Sequence, residues 1–352
     1  MSPAAATAVP TRPATPTPSR RRTLPLGVVL GLALLGVAAA VVASFVLGAR
    51  PTAWSTVVQT WTDPVAGDGD QAVVLARAPR TVAGLLVGAA LGLAGTAMQG
   101  VTRNPLGDPG ILGVNAGAAL AVVTGIEVFG VADQAGFVWF ALVGAGVAAV
   151  VVYGVASMGR GGATPVKLAL AGAAVSAGLF SVLNGVLVAS TATWDTYRFW
   201  AVGAVAGRSW EQIAGTAPFL AVGAALALGT GSVLNGLALG DDLARGLGQR
   251  VALGRAVTAL GAVLLCGAAT ALAGPIAFVG LVVPHVARLL VGPDFRRVLP
   301  LSMLLGAILL LGADVVGRLL QPPGEVPAGL LTALLGAPVL VWLVRRRRAV
   351  TG

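Results

Sequence analysis

Apolar residues in this chain fill whole segments; they neither mark one face of a helix nor alternate along a strand. Apolar runs cover residues 24–48, 80–101, 114–131, 136–158, 165–190, 212–233, 253–273, 275–290, 299–318 and 327–344. A helix needs about 20 apolar residues to cross the hydrocarbon core of a bilayer. With no water there to satisfy open backbone, helices are the economical way to span it. The pattern therefore predicts an all-α polytopic membrane protein with ten transmembrane helices. The first run is longer than the apolar core of a signal peptide and is expected to stay as the first span.

Composition agrees. The chain of 352 residues is 57% hydrophobic and 10% charged, with mean hydropathy +0.90, whereas soluble domains carry about 25% charged residues. Fifty glycines imply helices that approach through small faces, as in GAALGLAG at 88–95. The lone cysteine, Cys266, excludes an intrachain disulfide and a cysteine metal cluster; in an apolar run it reads as a small buried residue.

The net charge of +10 brackets the spans instead of forming one basic face, so it reports orientation and not nucleic-acid binding. Residues 1–23, rich in Pro, Ala and Thr and ending in Arg20, Arg21 and Arg22, are expected to form a disordered cytoplasmic tail. Residues 24–344 form the membrane domain, and 345–352, with Arg345 to Arg348, a basic cytoplasmic tail. Two cytoplasmic ends require an even number of spans, which ten satisfies. This topology puts 17 of the 23 basic residues inside. The exceptions Arg50, Arg77, Arg80, Arg198, Arg208 and Arg318 need a reason to lie outside, and Asp314 is a carboxylate placed within a span, near its outer end.

Three segments break the simple pattern. Residues 274–288 (GPIAFVGLVVPHVAR) are short, interrupted by Pro275, Gly280 and Pro284, and carry the only histidine, His285. Broken backbone at membrane depth lines a cavity or packs in protein, and a lone histidine there is most simply a structural residue. Residues 234–255 (LNGLALGDDLARGLGQRVALGR) place Leu243, Leu247 and Val251 four apart, on one helix face, with Asp241, Asp242, Arg245 and Arg250 around them. Such an element fits a cytoplasmic interface or a groove on a partner; the plainer reading is a solvated connector. Residues 103–113 (RNPLGDPGILG) are a turn-rich loop.

Taken together, the stretches at 77–118, 234–251, 274–300 and 312–338, in this order and spacing, resemble the FecCD-type permeases, membrane subunits of ABC importers for ferric siderophores, haem and cobalamin. The resemblance implies type II ABC importer permease architecture with ten helices per subunit, in the bacterial inner membrane with both termini cytoplasmic. It implies pairing with a second copy or a paralogue, two ATP-binding subunits below and an extracytoplasmic binding protein above. By the same resemblance, ATPase coupling falls to Gly240, Asp241, Asp242, Leu243, Ala244, Arg245, Leu247, Gly248 and Val251. Binding-protein docking falls to Arg77, Arg80 and Arg318, whose rigid forks suit carboxylates. Asn104 and Pro105, with Gly161 and Gly162 before the fifth span, lie near the pathway or its gate. Residues 274–288 become the short eighth helix, a structural signature and not a binding site.

The chain has no phosphate-binding loop: its sole lysine, Lys167, sits in TPVKLAL. No catalytic or metal site of its own is expected, and ATP and Mg belong to the partner ATPase. A largely apolar pathway suits a wrapped chelate better than a bare ion. A ferric siderophore is the first expectation, with haem or cobalamin next. An ion-coupled secondary transporter is the rival class, but His285 and Asp314 make a poor relay; a purely structural or receptor protein would not need the 234–255 element.

Overall fold

A computed structural model describes residues 25–65, 67–158 and 164–351, with side chains at all of these except 134, 340 and 342–351. The chain forms fourteen α-helices among the described residues: α1 Leu26–Val46, α2 Trp54–Thr62, α3 Gly69–Thr102, α4 Val114–Phe129, α5 Gln134–Ser157, α6 Pro165–Ala189, α7 Thr191–Ala201, α8 Trp210–Gly229, α9 Gly231–Ala238, α10 Asp241–Gly246, α11 Val251–Ala273, α12 Val279–Val291, α13 Phe295–Leu320 and α14 Ala328–Thr351. A 3-10 turn, Pro109–Leu112, precedes α4. Seven helices (α1, α3, α5, α6, α8, α11 and α13) are long and apolar enough to cross a membrane; α4, α12 and the apolar part of α14 are shorter. Each of the ten apolar runs thus falls on a helix, while span length alone accounts for seven.

Several boundaries differ from expectation for local reasons. Helix α3 begins at Gly69, eleven residues before the apolar run at 80, because Asp68 caps it by accepting from the backbone of Asp70 and Gln71. The run at 212–233 divides at Thr230, whose hydroxyl bonds back to Ala227. Helix α12 starts only at Val279, since Gly274 and Phe278 both adopt positive φ. The short amphipathic helices α2 and α7 carry no long apolar run and were not expected. Ser190 begins α7, and Glu127 at the end of α4 accepts from Thr193 on its first turn.

Helix α3 is the axis of the bundle. Its membrane segment is 78% buried, against α13, α12, α11 and α8. Lipid tails are as apolar as leucine, so these contacts depend on close fit more than on expulsion of water. The fit comes from missing side chains. A Cβ on Gly88 would overlap the Gly306 carbonyl of α13, and one on Gly95 would overlap the Gly280 carbonyl of α12. Gln99, one turn on, donates to that same Gly280 carbonyl at 3.1 Å and accepts from Arg288 at 2.5 Å. The small face expected at 88–95 is therefore the seam along which backbone meets backbone.

Replacing Gly95 by leucine is expected to lower stability by roughly 3 kcal/mol or more, because the neighbouring atoms are backbone and cannot turn aside. Gly146→Ala, where the added atom meets open space, serves as the matched control and should be neutral or slightly stabilising. Thermal unfolding of both variants in detergent checks the pair; equal midpoints would remove the seam's importance.

Candidate functional site

The two ends of α3 carry the charged groups singled out from the sequence. Some 23 residues separate Arg80 from Arg103, about 35 Å of helix. Toward its N-terminal end, Arg77, Arg80 and Arg318 converge on Asp314 and on the last turn of α1. Arg80 grips Asp314 through Nε and Nη2, at 3.0 and 2.8 Å, and reaches Glu325 through Nη1 at 2.7 Å. Arg318 lies on the same carboxylate at 3.0 Å and donates to the Ser44 and Leu47 carbonyls and the Ser44 hydroxyl. Arg77 donates to the carbonyls of Phe45 and Arg50 and to Thr52. The carbonyls at a helix C-terminus lack intrahelical partners and carry partial negative charge, so two arginines cap α1.

This arrangement changes what the three residues present. Arg77 and Arg318 are buried, Arg318 to 2% exposure, and their forks face inward because α1 supplies acceptors that no residue pattern displays. Arg80 is also largely buried, its side chain 13% exposed, and it reaches the surface only through its pair with Glu325. Two other outer arginines find carboxylates close in sequence or space: Arg50 meets Asp70 at 2.6 Å and Arg198 meets Asp195 at 3.2 Å. Arg208, in the connection between α7 and α8, is buried with no acceptor among the described residues, and desolvation pushes its pKa down to about 10.

Near the C-terminal end of α3, α9, α10 and the start of α11 form an elbow. Gly240 at φ 106 turns the chain into the six-residue α10, and Gly248 at φ 79 turns it out again. Leu243 and Leu247 are 62% and 67% exposed, Ala244 is fully buried and Asp242 and Arg245 form a surface pair at 2.9 Å. One expectation fails here. Val251 does not extend the leucine face, because the break at Gly248 sends it into the core as the first residue of α11. Asn235 ties α9 to the start of α13, donating to Asp294 at 2.6 Å and accepting from the Phe295 backbone. The Asn235 bond, above all, holds the Asp294 carboxyl below its ordinary pKa.

Between the elbow and the core lies the segment 103–113. Asn104 caps its own turn by accepting from Leu106 at 3.0 Å, with Pro105 half-buried beside it, and Asp108 accepts from Gly110 to open the 3-10 turn. Gly161 and Gly162 fall outside the described residues. Two apolar cavities accompany these helices, one of about 330 Å³ among α4, α5 and α6 and one of about 460 Å³ between α5 and α11. Their linings are almost wholly aliphatic and aromatic. Among the described residues no three of His, Cys, Asp and Glu converge as metal ligands. Ser44 and Glu325 belong to the arginine cluster, and neither leaves a local sign in the sequence.

The arrangement matches known proteins along most of its length. Residues 34–346 match the FecCD transport family. The ferric enterobactin transport system permease protein FepD of Escherichia coli (strain K12) is 43% identical over 317 residues, covering 90% of this chain and 94% of that protein. The iron(3+)-hydroxamate import system permease protein FhuB of Bacillus subtilis (strain 168) is 44% identical, covering 77% and 71%. A solved metal-chelate type ABC transporter in an inward-facing conformation superposes with a TM-score of 0.77 at 30% identity, over 91% of this chain and 99% of that one. The chain belongs to the FecCD transport family.

Proposed function

We propose that this chain is the permease subunit of an ATP-driven importer of ferric siderophores. The observation that carries this reading is the family match from 34 to 346, which runs from α1 into α14. Relatives named for ferric enterobactin and iron(3+)-hydroxamate transport support an iron chelate as cargo. The aliphatic cavities fit a wrapped metal, since a bare cation would require a ring of oxygen, nitrogen or sulfur donors.

In this reading α4, α12 and α14 join the seven long helices as spans, giving ten with both ends in the cytoplasm of a bacterial inner membrane. Helix α6 has only 17% of its membrane segment buried, leaving Leu170, Phe180, Val182 and Val188 exposed. That face suits a second copy or a paralogue, with the pathway between the two subunits. The exposed Leu243 and Leu247 suit a groove on an ATPase subunit, one for each permease, which binds ATP and Mg. The outer rim around Arg80 and Glu325 faces an extracytoplasmic binding protein, where charge sets orientation and on-rate more than affinity. ATP binding then shifts α10 and alternates access to the pathway. Ion-coupled transport fits less well, because the span carboxylate Asp314 is already held by two arginines and is not poised for a relay.

Leu243→Asp with Leu247→Asp should reduce co-purification of the ATPase subunits about tenfold or more, by placing charges in an apolar contact, while the permease itself still folds. Pull-down with a tagged permease measures it, and undiminished capture would remove α10 from the interface. In proteoliposomes loaded with ATP, uptake of a ferric siderophore presented by its binding protein should continue after a protonophore collapses the proton gradient. Uptake that stops with ATP intact would reject the ATP-driven mechanism.

A further inference from the structure

One carboxylate at the inner end of the bundle meets three structural elements. Asp241, the first residue of α10, accepts from Arg103 at 3.0 Å and from Arg255 at 3.1 Å, and Arg245 of its own helix comes within 4.0 Å. The two strong partners differ in kind. Arg255, on α11, is buried; its Nη2 reaches Asp241 and its Nε has no acceptor among the described residues. Separating it from Asp241 would leave a buried charge bare, so this pair pins α10 to α11. The Arg103 side chain is 37% exposed and can trade its partner for water at little cost.

Arg103 also stands at a boundary in the chain. It is the C-cap of α3, at φ 49 and ψ 30, a left-handed conformation uncommon outside glycine. On one side of it, α3 is fixed along the glycine seam to α12 and α13. On the other side begins the segment 103–113, which is tied to the spans at its far end. The Ile111 carbonyl packs directly on Gly172 of α6, where any side chain would collide with it. Just past the segment, Thr270 of α11 donates to Asn115 of α4 at 3.0 Å. A displacement of α10 therefore has a short covalent and ionic route into α6: from Asp241 to Arg103, through the turn, to Ile111 against Gly172.

We infer that the Asp241 to Arg103 contact is the joint that passes movement of α10 to the segment 103–113 and to α6, making Arg103 a positioning residue for the gate. The inference rests on the reading of α10 as the ATPase-docking element. Because α3 is locked by its seam, the segment yields and the helix does not. An ordinary ion pair closing the end of a helix would affect stability alone, so the test must read movement.

The test uses the full transporter in nanodiscs, permease with its cognate ATPase subunits, carrying Leu106→Cys as a reporter. Leu106 is exposed within the segment, and the one native cysteine, Cys266, is buried. The rate of labelling by a water-soluble maleimide is compared with and without ATP plus vanadate. With Arg103 present, the rate should change about fivefold or more, the low end of coupling between sites. In Arg103→Gln that change should fall below about twofold although the ATPase subunits still co-purify, and Arg103→Lys, which keeps the charge, should restore most of it. A full nucleotide-dependent change in Arg103→Gln, or none in the reporter protein with Arg103 intact, overturns the joint. Failure of any ATPase subunit to assemble with the native chain overturns the underlying reading, and the inference with it.

Discussion

Everything in this fold hangs on how closely α3 can approach its neighbours. Inside a bilayer, two apolar helices gain little by merely exchanging lipid for each other, so association depends on contact made where side chains are absent. At Gly88 against Gly306 and Gly95 against Gly280, backbone lies on backbone. That seam binds α12 and α13 to α3 along the roughly 35 Å of helix between Arg80 and Arg103, with a charged cluster at each end of that stretch. The arginine cluster and the elbow are thus held in fixed register although no residue connects them directly.

Rigidity along the axis assigns mobility elsewhere. The elbow at α10 is bounded by glycines in conformations few other residues adopt, and its leucines face away from the body. The segment 103–113 is a succession of capped turns, not a helix, and α6 touches it through Gly172. The parts proposed to contact partners or change shape are built from short elements with local hydrogen bonds. Parts that hold position are built from long helices with backbone contact. This division agrees with a membrane subunit that is moved by another protein's chemistry.

Much of this was legible before any coordinates. Long apolar runs mark the helices because a bilayer imposes length, and the small face of α3 shows as repeated glycine. The motifs around 103–113 and 234–251 place the family. What escaped the sequence has a common physical cause: dependence on backbone from elsewhere in the chain. Arg77 and Arg318 turn inward to the carbonyls of α1, which have no signature among side chains. Val251 leaves the face of Leu243 and Leu247 because one glycine at positive φ resets the helical phase. The helices α2 and α7 are too short for the hydropathy that reveals their neighbours, and α3 begins early on a polar turn capped by Asp68.

The capping of α1 also dictates an order of construction. Its terminal carbonyls emerge from the ribosome early, yet Arg318, which satisfies Ser44, lies 274 residues further along the chain. Arg77 covers its share of the helix end as soon as α3 follows α1 into the bilayer. The remainder stays open until α13, far along the chain, packs against α1. The end of α1 thus waits, half-sealed, on a helix made long after it.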